Sequence, residues 1–276
     1  MTDPRSWLFV PADSERKIAK ALDSEADAVI FDLEDSVAPS QKAAARDILK
    51  GLVPREGGPQ WWVRINPLGS EFIKDDLKLI GVSDVHGIVL PKAESGADVV
   101  QLAHRTGNIP IHAIVTETAA SLFGLLSYRD PKSPLAAMSW GAEDLSAALG
   151  ASSKTDADGS LSFTYRLARS LCLAGAVAAG VQPVDGVFAD FKDDKGLRAE
   201  AEAARREGFT GKLAIHPAQV PIINAAFSPS DEDVRHAEEI VAAFEAHPDA
   251  GVLSVGGKMV DRPHLVQAQR VLERAR

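Results

Sequence analysis

Short apolar runs alternate along the chain with stretches in which apolar and polar residues recur at helical spacing. Eight runs have the length and apolar character of buried strands. They cover 7–11 (WLFVP), 28–32 (AVIFD), 61–66 (WWVRIN), 87–92 (GIVLPK), 111–117 (IHAIVTE), 136–141 (AAMSWG), 184–188 (VDGVF) and 212–217 (KLAIHP). Between them lie amphipathic segments such as SERKIAKAL, SQKAAARDILKGL and GLRAEAEAARREG, and Gly107 and Gly208 stand where such helices would end. Apolar strands separated by crossover helices predict a parallel sheet. Eight such units predict an α/β fold of TIM (β/α)8 type over residues 1–227. An open doubly wound sheet is the rival. The lack of a G-x-G-x-x-G after the first strand weighs against its dinucleotide-binding form. Residues 228–276 are left over: DEDVRHAEEIVAAFEAHP reads as a helix, and the rest as a short hairpin or loop before a closing helix. This C-terminal extension is expected to supply a lid and subunit contacts.

In a barrel of this kind chemistry gathers where strands end. The second strand runs into Asp32, Glu34 and Asp35, three carboxylates that repel one another. Arg64 interrupts the apolar run WWVRIN and is expensive to bury alone, so the carboxylates of the adjacent strand are its natural partner. Strand three ends in Asn66, strand four in Lys92 and strand five in Glu117. Strand six leads through Gly141 to Glu143 and Asp144, Asp190 follows strand seven, and His216 ends strand eight. Plainer readings stand beside these. A carboxylate at Glu117, Glu143 or Asp144 also suits the start of a helix, the Arg64 cluster also suits a structural ion pair, and His216 suits a hydrogen-bonded structural role. Together, however, the carboxylates of strands five and six form an oxygen-rich set suited to Mg²⁺ or Mn²⁺. No H-x-H or H-E-x-x-H is present, which argues against zinc.

Composition narrows the class. The values of 45% hydrophobic and 25% charged residues are those of a globular protein, and 276 residues suit one large barrel. A net charge of −9 argues against a nucleic-acid partner, while leaving room for local basic clusters. Arg5, Arg16, Lys17 and Lys20 form one such cluster, which equally suits a solvated helix face. Cys172 is the only cysteine, which excludes an intramolecular disulfide, and its apolar neighbours suit core packing. The stretch MTDPRSWLFVP lacks a signal-peptide core, and SLCLAGAVAAGVQPV is too short to span a bilayer. The expectation is a soluble cytoplasmic protein without a membrane partner.

RSWLFVPA, DAVIFDLEDSV, VRIN, VLPKAE, TETA, WGAEDLSAALG, GFTGKLAIHPAQVPIINAAFSPS and GKMVDRPH follow one another in this order. In that order they resemble the citrate lyase β-subunit family, within the HpcH/HpaI aldolase/citrate lyase group that includes malyl-CoA and citramalyl-CoA lyases. The resemblance covers almost the whole chain. It implies a Mg²⁺-dependent TIM barrel that cleaves a 3-hydroxyacyl thioester to a 2-oxo acid and acetyl-CoA, or runs the reaction backwards. It further implies that Glu117 and Asp144 ligate the metal and that Arg64 binds the oxo-acid oxygen. Gly141, Ala142 and Glu143 would contact substrate, and Phe9, Arg16 and Lys20 would contact CoA. Asp32, Glu34 and Asp35 would support Arg64 and metal-bound water. Asp261, in KMVDRPH, would exchange a proton with the thioester α-carbon at a neighbouring subunit's site, in a homotrimer or hexamer. Three other activities stay open at this point: an aldolase acting on free hydroxy-oxo acids, a malyl-CoA thioesterase, and a citrate lyase subunit working on a carrier-bound citryl thioester.

Overall fold

The computed structural model describes residues 3–130 and 132–275. They divide into two units, residues 3–224 and the residues from 225 onward. In the first unit eight parallel strands close into a barrel, β8 pairing back onto β1. The strands are β1 Ser6–Pro11, β2 Ala28–Asp32, β3 Gln60–Arg64, β4 Gly87–Leu90, β5 Ile111–Ile114, β6 Leu135–Ser139, β7 Gln182–Asp185 and β8 Gly211–Ala214. The helices are α1 Glu15–Leu22, α2 Lys42–Lys50, α3 Ile73–Ile80, α4 Gly96–Thr106, α5 Ser121–Gly124, α6 Ala142–Leu149, α7 Phe163–Ala179 and α8 Asp194–Glu207. Helix α9, Val220–Phe227, contains the division between the units.

The eight-strand barrel read from the sequence is the fold observed. Several strands stop earlier than their apolar runs. Lys92, Gly141 and His216 lie two residues beyond their strands and Glu117 three, because the ladder of backbone hydrogen bonds ends before hydrophobicity does. These side chains therefore stand on the βα loops at the C-terminal face. Gly107 and Gly208 close α4 and α8 with φ of 75° and 119°, a conformation that favours glycine.

Trp7, Ile30, Trp62, Ile114 and Leu213 fill the barrel. Trp7 and Trp62 meet edge to face with ring centres 4.9 Å apart. A Cβ on Gly87 would lie 2.1 Å from the Trp62 ring, so only glycine fits there. His112 shares this interior, its Nε2 2.9 Å from Ser139 Oγ, and complete burial pulls its pKa down to about 3. It is a neutral filler of the core. Burial pushes the Cys172 thiol up, in keeping with an inert packing residue.

A second polar cluster ties β7 and β8 to helices. Lys212 Nζ, fully buried, donates to Asp185 Oδ2 (2.8 Å), Gly186 O (2.8 Å) and Glu200 Oε1 (2.7 Å). Arg169 Nε and Trp140 Nε1 each donate to Asp185 Oδ1 at 2.8 Å. Burial alone would raise the Asp185 carboxyl, but Lys212 and Arg169 hold it down at about 2.

The second unit packs α10 (Asp231–Ala246), β9 (Val252–Val255), β10 (Lys258–Asp261) and α11 (Arg262–Arg274) around Ile240, Phe244, Val255, Val260 and Ala268. Ser230 and Asp233 cap α10 reciprocally, with bonds of 3.1 and 3.0 Å. β9 and β10 are joined by Gly256 and Gly257, whose φ of 56° and 76° suit a two-residue hairpin turn. With Val260 buried, alternation turns Met259 and Asp261 to the other face, where Val252 pairs with Asp261.

Candidate active site

Asp32 explains why an apolar strand ends in acid. Its Oδ1 accepts the Glu34 amide at 2.8 Å and its Oδ2 the Ser36 amide at 3.1 Å, so its side chain shapes the loop that follows β2. The same carboxylate takes a two-pronged grip from Arg64 at the end of β3, through Nε (2.7 Å) and Nη2 (2.6 Å). Arg64 Nη1 lies 3.0 Å from Glu34 Oε2, an ion pair without hydrogen-bond alignment. The guanidinium sits over the Phe9 ring, 4.8 Å from its centre. Burial works against its charge, but Asp32 and Glu34 raise its pKa further still. Arg64 is thus a permanently charged, oriented group.

The loop is braced from behind. Buried Lys42 donates to the carbonyls of Leu33 (2.7 Å) and Glu34 (2.8 Å). Asn66 Nδ2 donates to Leu33 O (3.1 Å) and Asp76 Oδ2 (2.7 Å), and Asp76 is paired with Arg46 at 2.8 Å. Asn66 therefore holds a loop in place.

Lys92 is the residue that sequence reasoning left without a role. It has a positive φ of 52° and is not glycine, and its amide and its ammonium face four carboxylates between them. The amide donates to Glu117 Oε2 at 2.6 Å. The ammonium meets Glu34 Oε1, and lies 3.2 Å from Asp144 Oδ1 and 3.4 Å from Asp35 Oδ2. The motif VLPKAE carried this lysine in plain view, but its backbone conformation leaves no mark in the sequence.

Carboxylates outnumber cations here. Burial, and then the nearby charges of Asp144 and Glu34, push the Glu117 carboxyl up to about 8 despite the Lys92 amide. Burial also raises Glu34, against the pull of Arg64 and Lys92. Gly141 closes one side: a Cβ there would lie 3.0 Å from Glu117 Cγ and 3.1 Å from Oε1. Its amide is 3.3 Å from Thr116 Oγ1, and α6 then begins at Ala142 without a side-chain cap.

This set fits a hard divalent cation. A cation would relieve the crowding that raises Glu117. Among the described residues no three His, Cys, Asp or Glu side chains form a closed metal cage. Mg²⁺ is commonly held by one or two carboxylates, with water and substrate oxygens completing its shell. Glu117 and Asp144 would be those two.

The remaining expected residues are spread around this centre. The Glu143 carboxylate is exposed and pairs with Lys154. Phe9 is the floor beneath Arg64. Arg16 is exposed on the first turn of α1. Lys20, on its last turn, lines an open groove of about 570 Å³ with Asp23, Ser24, Glu25, Pro217 and Pro221. His216 caps the turn after β8, its Nδ1 accepting the Ala218 amide at 3.2 Å, and stacks on Phe191 at 5.0 Å. Asp261, in the second unit, caps α11 and contacts His264. No helix among the described residues is long and apolar enough to cross a membrane.

The family model described as HpcH/HpaI aldolase/citrate lyase matches residues 5–217. The chain is 37% identical over 275 residues to a (3S)-malyl-CoA thioesterase of Cereibacter sphaeroides, covering 98% of this chain and 94% of that protein. It is 34% identical over 294 residues to the mitochondrial citramalyl-CoA lyase of Homo sapiens, covering 97% and 84% respectively. In three dimensions it is similar to the CitE protein of Mycobacterium tuberculosis, solved in complex with magnesium, acetoacetate and coenzyme A. The TM-score is 0.85 at 38% identity, over 98% of this chain and 97% of that one.

Proposed function

The chain belongs to the HpcH/HpaI aldolase/citrate lyase family, and from that premise we propose that it is a Mg²⁺-dependent carbon–carbon lyase. Its substrate would be a 3-hydroxyacyl-CoA such as citramalyl-CoA or malyl-CoA, cleaved to a 2-oxo acid and acetyl-CoA or formed from them. The observation that carries this reading is one fixed guanidinium, Arg64, set beside the buried carboxyl of Glu117, with the half-buried Asp144 next to it. The homologue solved with magnesium and coenzyme A supports both ligands. We further propose a cytoplasmic homotrimer or hexamer. The exposed outer face of the β9–β10 hairpin, with Val252 and Met259 58% and 63% exposed around Asp261, suits contact with another copy.

Cleavage converts an alkoxide into the carbonyl group of the oxo acid, an aldehyde from malyl-CoA and a ketone from citramalyl-CoA, and leaves an enolate on the thioester. Mg²⁺ held by Glu117 and Asp144 would supply the Lewis acid that lowers the hydroxyl pKa. Arg64 supplies a fixed positive charge where the alkoxide forms, and Asp32 and Phe9 prevent it from swinging away. Lys92 positions Glu117 through its amide and Asp144 through its ammonium. Ala142 and Glu143, at the start of α6, offer backbone N–H groups for the oxo-acid carboxylate. Asp261 of a neighbouring copy would give the enolate carbon its proton in cleavage and remove it in condensation.

Thioester hydrolysis is the second reading, favoured by the 37% identity to a malyl-CoA thioesterase. One assay separates the two. The purified protein is given malyl-CoA, citramalyl-CoA and citryl-CoA, with Mg²⁺ or with EDTA, and oxo acid and free CoA are both measured. Oxo acid with acetyl-CoA, lost with EDTA, is expected. Free CoA without oxo acid would replace the lyase by the thioesterase.

A further inference from the structure

We propose that His264 is a positioning residue acting through Asp261: its Nδ1–H holds Oδ1 and so fixes the carboxyl group that exchanges a proton with the substrate carbon. The inference rests on the reading of Asp261 as the acid–base group.

Asp261 ends β10 and caps α11, with His264 three residues on. Two contacts compete for one ring nitrogen. The Asp261 amide lies 3.3 Å from His264 Nδ1, and Asp261 Oδ1 lies 2.5 Å from it. If Nδ1 were the acceptor of the amide, it would carry a lone pair aimed at a carboxylate lone pair. A nitrogen and a carboxylate oxygen at 2.5 Å are held together only by a proton between them. The short contact therefore decides the tautomer: Nδ1 carries the proton. With Oδ1 occupied, the carboxyl group can no longer turn freely about its last bond.

The other charged groups around the hairpin are engaged elsewhere or exposed. Across the ladder, β9 is the neutral stretch Val252–Val255. On β10, Lys258 is exposed. Arg262, next in sequence, donates to Pro248 O and lies 5.3 Å over the Phe244 ring. On α10, Arg235, Glu238 and Glu245 are exposed, His236 faces Glu239 at 3.8 Å, and His247 Nδ1 is 3.2 Å from Ala243 O. The His264 hydrogen bond is accordingly the first cause holding the Asp261 carboxyl below the usual carboxylate range. Such an acid stays ionised to lower pH. The carboxylate also accepts the His264 backbone N–H, so the side chain and the amide of one residue together set its orientation.

Four proteins test the inference: wild type, Asp261→Asn, His264→Leu and His264→Asn. The readouts are kcat, KM for the thioester and the acidic limb of kcat/KM in the condensation direction. Asp261→Asn is expected to be inactive. His264→Leu is expected to lose about ten- to a hundredfold in kcat with little change in KM, the scale of one hydrogen bond to a charged group. Its acidic limb moves to higher pH, because Asp261 then protonates more readily. His264→Asn keeps a donor near the Nδ1 position and brings kcat and the limb back toward wild type. An unchanged limb and kcat in His264→Leu, with Asp261→Asn inactive, overturns the role of His264 and leaves the acid–base reading standing. Turnover by Asp261→Asn removes both. A measurement independent of activity uses ¹⁵N-labelled histidine: the Nδ1–H form of His264 is expected in wild type and its loss in Asp261→Asn. An Nε2–H form in wild type at neutral pH overturns the inference.

Discussion

Two buried charge clusters sit on the same barrel and end in opposite states. Behind β7 and β8, Asp185 is met by Lys212, Arg169 and the Trp140 indole, and its acids Glu200 and Glu207 reach solvent. The result is a carboxylate held at about 2. At the mouth, Arg64 and Lys92 face Asp32, Glu34, Asp35, Glu117 and Asp144, and Glu117 is driven up to about 8. Both clusters contain short, well-directed ion pairs. What separates a structural cluster from a candidate site is whether its charges are settled. The first is closed and needs nothing more. The second is short of positive charge and gains from a cation.

Breaking the closed cluster should cost the most stability. Asp185→Ala leaves Lys212 and Arg169 buried without their shared partner, and is expected to destabilise the fold by about 3–5 kcal/mol. Urea titration measures this, and activity per folded molecule should survive. The pH dependence follows from the sign of the shift. The Asp185 pKa falls from 3.8 to about 2 on folding, so its contribution is full above the unfolded value and is lost as pH drops through the folded one. Wild type should therefore lose stability between roughly pH 4 and 2 by a step that the alanine variant lacks. An equal acid step in both proteins would remove Asp185 from the account.

At the mouth the expected order reverses, with chemistry affected more than folding. Arg64→Lys keeps a charge but loses the two-pronged grip on Asp32. Its kcat should fall about 10²–10³-fold, with a smaller change in the urea midpoint than Asp185→Ala shows. Near-normal turnover would mean that the guanidinium does not face the reacting oxygen. Glu117→Gln should weaken Mg²⁺ binding by about 100-fold, seen by calorimetry, without lowering stability, because a neutral amide replaces a carboxyl that burial already keeps largely protonated in the absence of metal. Unchanged affinity would reassign the metal ligand. Gly141→Ala is the mildest: its Cβ arrives 3.0 Å from Glu117 Cγ and nudges that side chain. About tenfold weaker Mg²⁺ binding with a normal fold is expected, and no change would show that Glu117 has room to move.

Much of the mouth is legible in the chain because its residues follow strands of high apolar content. Asp32 and Arg64 are visible as charges embedded in AVIFD and WWVRIN, and the cost of burying either alone already implies their pairing. Lys92, Lys212 and His264 are a different matter. Lys92 needed a positive φ to aim its amide at Glu117. Lys212 opens the run KLAIHP and looks like a surface residue until Asp185 and Glu200 close on it. His264 lies three residues from Asp261, a spacing shared with many unpaired side chains on helices.

The alternation of apolar runs and amphipathic segments determined the barrel, because each strand and helix must bury its own apolar face and a closed parallel sheet does so for all eight. It also determined which face would carry the polar residues, since seven of the eight runs lead into a polar or charged residue at the same end. Only the tertiary structure decided which charges are balanced. Charge balance depends on distances between groups far apart in the chain, 58 residues for Glu34 and Lys92 and 27 for Asp185 and Lys212. It depends equally on how much water each group gives up, and both are set when the barrel closes.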